Sequence, residues 1–129
     1  MGFHLYELSS EAHDRYMTFI QGIEHFMTIA LGGFLQSQKV DIKELEALAS
    51  PIYKLKLQLL GRIFDQDAAL YADIIQASPD RLATIAEFLD HTQALLKLDR
   101  KGLINHFEQT ANWLGDFTKR SQLATDQLL

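Results

Sequence analysis

With 129 residues, 47% hydrophobic and 22% charged, the chain has the size and composition of one ordinary globular domain built on one core. The absence of cysteine excludes disulfides and thiolate metal sites and fits a reducing cytoplasm, while a net charge of -5 with no basic run longer than Arg100-Lys101 or Lys119-Arg120 argues against a nucleic-acid track. Apolar stretches are broken by Gln, Lys or Asp far short of the ~18 to 20 residues a membrane span needs, and the opening MGFHLYELSSEAHD lacks the basic start and small-residue cleavage site of a secretory leader.

In chain order, Ser9 and Ser10 offer an N-cap, and Glu11 and Asp14 set negative charge against the positive end of a helix dipole. Tyr16, Phe19, Ile20, Ile23, Phe26, Met27, Ala30, Leu31 and Phe34 then recur at three- and four-residue steps, predicting one long helix to about residue 36 with an apolar stripe along it. Gly22, Gly32 and Gly33 each cost about 1 kcal/mol relative to Ala there, so they point to close approach of another backbone. Asp41 and Glu44 form a capping box for a short helix through Leu48. Ser50-Pro51 opens the next, PIYKLKLQLLGRIF, whose apolar sector is broad enough to call for burial on more than one side. Asp67 caps a short segment, Ser78-Pro79 opens a helix with Leu82, Ile85, Leu89, Leu95 and Leu96 inward, and Asp99 caps a last helix running towards the C-terminus, with Phe107, Trp113 and Phe117 read as core. No alternating strand pattern or hairpin signal occurs. The expected fold is an all-α, multi-helix single domain over 1–129, and the exposed remainder of its long first helix calls for a dimer partner.

Chemistry is sparse. The histidines show neither Glu-x-x-His nor His-Glu-x-x-His spacing, so no metal site is expected, and Gly32-Gly33 lies inside a helical pattern rather than in a phosphate loop. Counting about 100° per residue from Tyr16 puts His25 roughly opposite the stripe, with Gln21 and Gly32 close by. That position fits either a solvated histidine on the polar face or a second working face made close-fitting by the glycines. Arg62, near the end of its helix, is either a cation favoured by the helix dipole or paired with Asp65, or a guanidinium whose planar fork holds a carboxylate. Tyr71 reads as packing.

The stretch SPIYKLKLQLLGRIFDQDAALYADII, residues 50–75, closely resembles the C-terminal domain of prephenate dehydrogenase, above all the form fused to chorismate mutase in the bifunctional T-protein. The similarity extends through EAHDRYMTFIQGIEHF upstream and NWLGDF downstream, covering most of the chain. The resemblance implies an interlocked helical dimer that closes the pocket of an NAD-dependent enzyme of tyrosine biosynthesis, which oxidatively decarboxylates prephenate to 4-hydroxyphenylpyruvate. It further implies that NAD and the catalytic histidine belong to a Rossmann domain absent from this chain. No catalytic or cofactor-binding residue is therefore expected here, and the chain alone is expected to be inactive. Carried over by motif, Arg62 of GRIF matches a prephenate-carboxylate anchor and His25 of EHF a pocket histidine tied to substrate and tyrosine binding. Tyr71 of LYADI matches an aromatic position near the pocket, reached across the dimer. Gln21 is added from helix geometry, one turn before His25. Lys56 departs from the pattern, standing where an acidic residue is expected. A second reading keeps the helical dimer and the aromatic-acid pocket as a stand-alone module that binds tyrosine or a related acid without catalysis.

Overall fold

A computed structural model describes residues 7–128. His4 and part of the segment read above for a leader lie outside them. The first helix is continuous over 10–37 but not uniform: α1 (Ser10–Met17) passes into a π-helical segment (Thr18–Ile23) and then α2 (Glu24–Ser37). Ser9 caps it, its Oγ accepting from the Ala12 N–H at 3.1 Å. At the π segment the Thr18 hydroxyl donates to the Asp14 carbonyl at 3.0 Å and accepts from Arg81 Nε at 3.4 Å. Arg81 Nη1 also donates to the Ile74 carbonyl at 2.6 Å. A Cβ on Gly22 would come within 3.0 Å of the Arg81 side chain, so the glycine makes room for it. One extra residue in the helical ladder, a common cause of a bulge, is thus placed where an arginine from a distant helix docks.

The remaining helices start where capping chemistry predicts. Asp41 accepts from the Lys43 and Glu44 N–H groups ahead of α3 (Ile42–Leu48), and Ser50 from Tyr53 N–H ahead of α4 (Pro51–Phe64). Asp67 does the same for α5 (Ala68–Ile75), Ser78 for α6 (Pro79–Leu96) and Asp99 for α7 (Arg100–Leu114). The predicted last helix is in fact two. Gly115, at φ 62° and ψ -136°, ends α7, and α8 (Phe117–Leu128) follows; an L residue rarely adopts that backbone. Between α2 and α3, Lys39 takes φ 56° while the Val40 N–H donates to Leu35 O and the Lys39 N–H to Gln36 O. This is a Schellman ending with lysine where glycine is usual. Among the described residues there is no strand, so the fold is all-α with a long first helix.

Packing departs from the sequence reading. The π segment packs on α5 and α6, and α2 packs on α4 and α5. Yet the only apolar side chains buried among the described residues are Ile23, Leu57 and Ile85. The stripe of the first helix is largely open, with Ile20 62% and Phe34 59% exposed. Of the wide apolar sector of α4, Ile52, Leu55, Leu59 and Phe64 are exposed, and Trp113 (81%), Phe107 and Phe117 are surface residues rather than core. The expected single core is therefore not closed by this chain. Its accessible surface is 11119 Å², against about 6,900 Å² for a compact monomer of the same mass. Apolar periodicity reports which face will be covered; it is silent on whether the cover comes from the same chain.

Candidate functional site

The first turn of α2 and the last turns of α4 face each other across a groove of about 580 Å³. His25 and Arg62, 37 positions apart, both line it, with Met27, Leu59, Leu60 and Lys56. Aliphatic walls and a rim holding two cations, Lys56 and Arg62, beside one carboxylate, Glu24, suit a small apolar ring bearing carboxylates, because burial favours the ring while guanidinium and ammonium offer charge-assisted hydrogen bonds. Arg62 is solvent-accessible and has no carboxylate within 4.0 Å among the described residues, so the alternative pairing with Asp65 is not made.

His25 is half-buried, and its Nδ1 is the one buried side-chain polar atom among the described residues without a hydrogen-bond partner. An orphaned buried polar group costs about 1–3 kcal/mol until something pairs with it. Its ring meets Tyr71 edge to face, centroids 4.8 Å apart and planes at 83°. Tyr71 thus reaches His25 within one protomer. It lines the adjoining groove, about 440 Å³, with Phe26, Ile29, Phe64 and Ile75 rather than the one that holds Arg62. Gln21 lies in the π segment, half-buried, and lines neither groove.

An extra residue in the ladder retards the phase by about 100°, so α2 as a whole, His25 together with Phe26 to Phe34, is rotated against α1, and His25 lines the groove between α2 and α4. What approaches Gly32 is a side chain and not the backbone expected from the sequence: a Cβ there would lie 2.6 Å from the Phe64 ring, whereas Gly33 has open space. Lys56 was noted in the sequence only as a departure. Its place in the groove follows from helical spacing, since Leu59, Leu60 and Ile63 lie three, four and seven positions on. A third groove, near the start of α6, joins Arg15 and Arg81 with Glu11, Asp14 and Asp80; its opposing charges give it no clear ligand sign.

These features bear on ancestry. The family model described as prephenate dehydrogenase, dimerization domain, matches residues 9–114. The chain belongs to that family. It is 41% identical to the T-protein of Haemophilus influenzae over 133 aligned positions, covering 99% of this chain and 35% of that protein. It is 39% identical to the T-protein of Enterobacter agglomerans, again over 99% of this chain and 35% of the relative. A probable arogenate/prephenate dehydrogenase of Methanocaldococcus jannaschii is 38% identical over 91% of this chain and 27% of its own length. The chain thus spans about a third of the length of these relatives.

NAD does not fit the residues described here. A dinucleotide pyrophosphate is received by a Gly-rich turn between a strand and a helix. Here Gly32 and Gly33 sit within α2, and Gly115 is a lone glycine between two helices. Among the described residues no group of three or more His or carboxylate side chains could hold a metal ion, and no helix is long and apolar enough to cross a membrane.

Proposed function

We infer that this chain is the dimerisation and substrate-pocket part of an NAD-dependent prephenate dehydrogenase acting in cytoplasmic tyrosine biosynthesis. The observation that carries this reading is the convergence of His25 and Arg62 on one apolar-walled groove, in a chain of the dimerization-domain family. Arg62 holds a prephenate carboxylate through its planar fork, and His25 forms part of the groove wall against which the bound acid packs. Tyr71 fixes the imidazole by edge-to-face contact. Oxidative decarboxylation ends in an aromatic ring, so the helical part contributes mainly alignment. Hydride acceptor and general base come from the Rossmann domain of the same enzyme.

The surface left open on each protomer exceeds a compact monomer's by roughly 4,000 Å². Counted over two protomers that is about 8,000 Å², above the roughly 2,000–5,000 Å² that obligate homodimer interfaces bury over both partners, and so large an open surface supports an interlocked pairing of two copies along the first helix. The test is calorimetric titration of the chain with prephenate near neutral pH. Binding is expected, weakened at least about tenfold by Arg62→Ala, in line with loss of a charge-assisted pair. No binding, or binding indifferent to Arg62, would overturn the pocket assignment. L-Tyrosine is expected to compete, having the same carboxylate and a ring of similar size; tyrosine binding without prephenate binding would instead favour the stand-alone tyrosine-binding module.

A further inference from the structure

Lys56 is the residue whose presence in the groove neither family membership nor the carboxylate anchor accounts for. It lies on α4, is exposed, and has no carboxylate within 4.0 Å among the described residues. Three charged side chains line the groove, Lys56, Arg62 and Glu24. Together these three leave one net positive charge, and removing Lys56 cancels it. An acid at position 56 would make the groove net negative. Without Lys56 the charges of Arg62 and Glu24, which line the same groove, cancel. The two cations stand six residues apart on one helix, about 9 Å of axial rise and about 120° apart around it, yet both line the groove, so two long side chains approach one small ligand from different sides.

We propose that Lys56 is the second carboxylate-binding cation of this groove and sets its preference for a dicarboxylate over an acid with a single net negative charge or none. The proposal rests on the reading of the groove as a substrate site. Lys56 acts as a point charge, while Arg62 fixes orientation through its fork. The distinction matters for prephenate against L-tyrosine: the keto-acid carries a second carboxylate on its ring and no ammonium, whereas the amino acid carries one carboxylate and an ammonium that the lysine repels.

The experiment is titration of the 129-residue chain with prephenate, and separately with L-tyrosine, in Lys56→Glu, Lys56→Gln and Lys56→Arg variants. Lys43→Glu on α3, outside the groove, serves as the control for net charge. Lys56→Glu is expected to weaken prephenate binding at least about tenfold, reversing one charge a few ångströms from the ligand. Lys56→Gln should weaken it severalfold, Lys56→Arg should hold it within about threefold, and Lys43→Glu should leave it unchanged. Tyrosine affinity should hold or rise in Lys56→Gln and Lys56→Glu, where the repulsion of its ammonium is relieved, and stay within about threefold in Lys56→Arg, so the prephenate-to-tyrosine ratio falls in the first two. An unchanged ratio in Lys56→Glu alongside lost binding in Arg62→Ala would overturn the proposal and leave the groove assignment standing. Equal weakening by Lys43→Glu and Lys56→Glu would reduce the effect to overall charge and overturn it as well. Prephenate binding indifferent to both Lys56 and Arg62, or absent from the unsubstituted chain, would remove the groove assignment and this proposal with it.

Discussion

Arg81 ties three elements together with one side chain. Its guanidinium donates to the last turn of α5 at Ile74 and to Thr18 in the π segment, and its aliphatic stem lies over Gly22. A cation at a helix C-terminal carbonyl is favoured by both hydrogen bond and dipole. Arg81→Met keeps much of the packing but removes the donors. It is expected to destabilise the protein by about 1–3 kcal/mol, read as a melting temperature several degrees lower; an unchanged transition would show that the contacts carry little energy. This arginine was invisible to periodicity because its partners lie 63 and 7 positions away in other elements. His25 was legible as chemistry but not as position. Its residue type stood out, while the π segment just before it, where Arg81 docks, leaves no mark in the apolar periodicity.

At the scale of elements, caps were the most legible feature. Ser9, Asp41, Ser50, Asp67, Ser78 and Asp99 each accept from a backbone N–H at the start of the helix they precede. Capping is local chemistry, decided within three residues. The two helix endings were less legible. Lys39 carries a positive φ that glycine would adopt without strain, so Lys39→Gly is expected to stabilise by about 1 kcal/mol. Gly115 sits in backbone space that an L side chain rarely enters, so Gly115→Ala is expected to cost on the order of 1–3 kcal/mol. Urea unfolding midpoints check both, and opposite signs are the expected outcome. Equal signs would mean that the two turns do not set the helix ends as described. The break at Gly115 had a sequence signal, a glycine after Leu114, but the apolar pattern continuing through Phe117 outweighed it.

For the whole molecule, the open surface decides the behaviour. Sedimentation at micromolar concentration is expected to give twice the 14.7 kDa of the chain, with a persistent monomer counting against the paired assembly. Ile20→Asp and Phe34→Asp place charge on the uncovered stripe of the first helix. Each is expected to weaken the dimer by on the order of 3 kcal/mol, since an unpaired carboxylate would be buried at the interface. Dimers as tight as the parent in both variants would relocate the interface.

The sequence by itself determined the all-helical class, the helix starts, the long first element and the residue types suited to a carboxylate ligand. Each depends on neighbours within about two turns. Only the tertiary structure decided that His25, Lys56 and Arg62 share a groove and that Tyr71 stands beside His25 but faces the next cavity. It also decided that the apolar faces of α2 and α4 are left uncovered within the protomer. Those outcomes depend on how helices far apart in sequence are rotated and set against one another. One π turn shifts that rotation by about a quarter of a revolution.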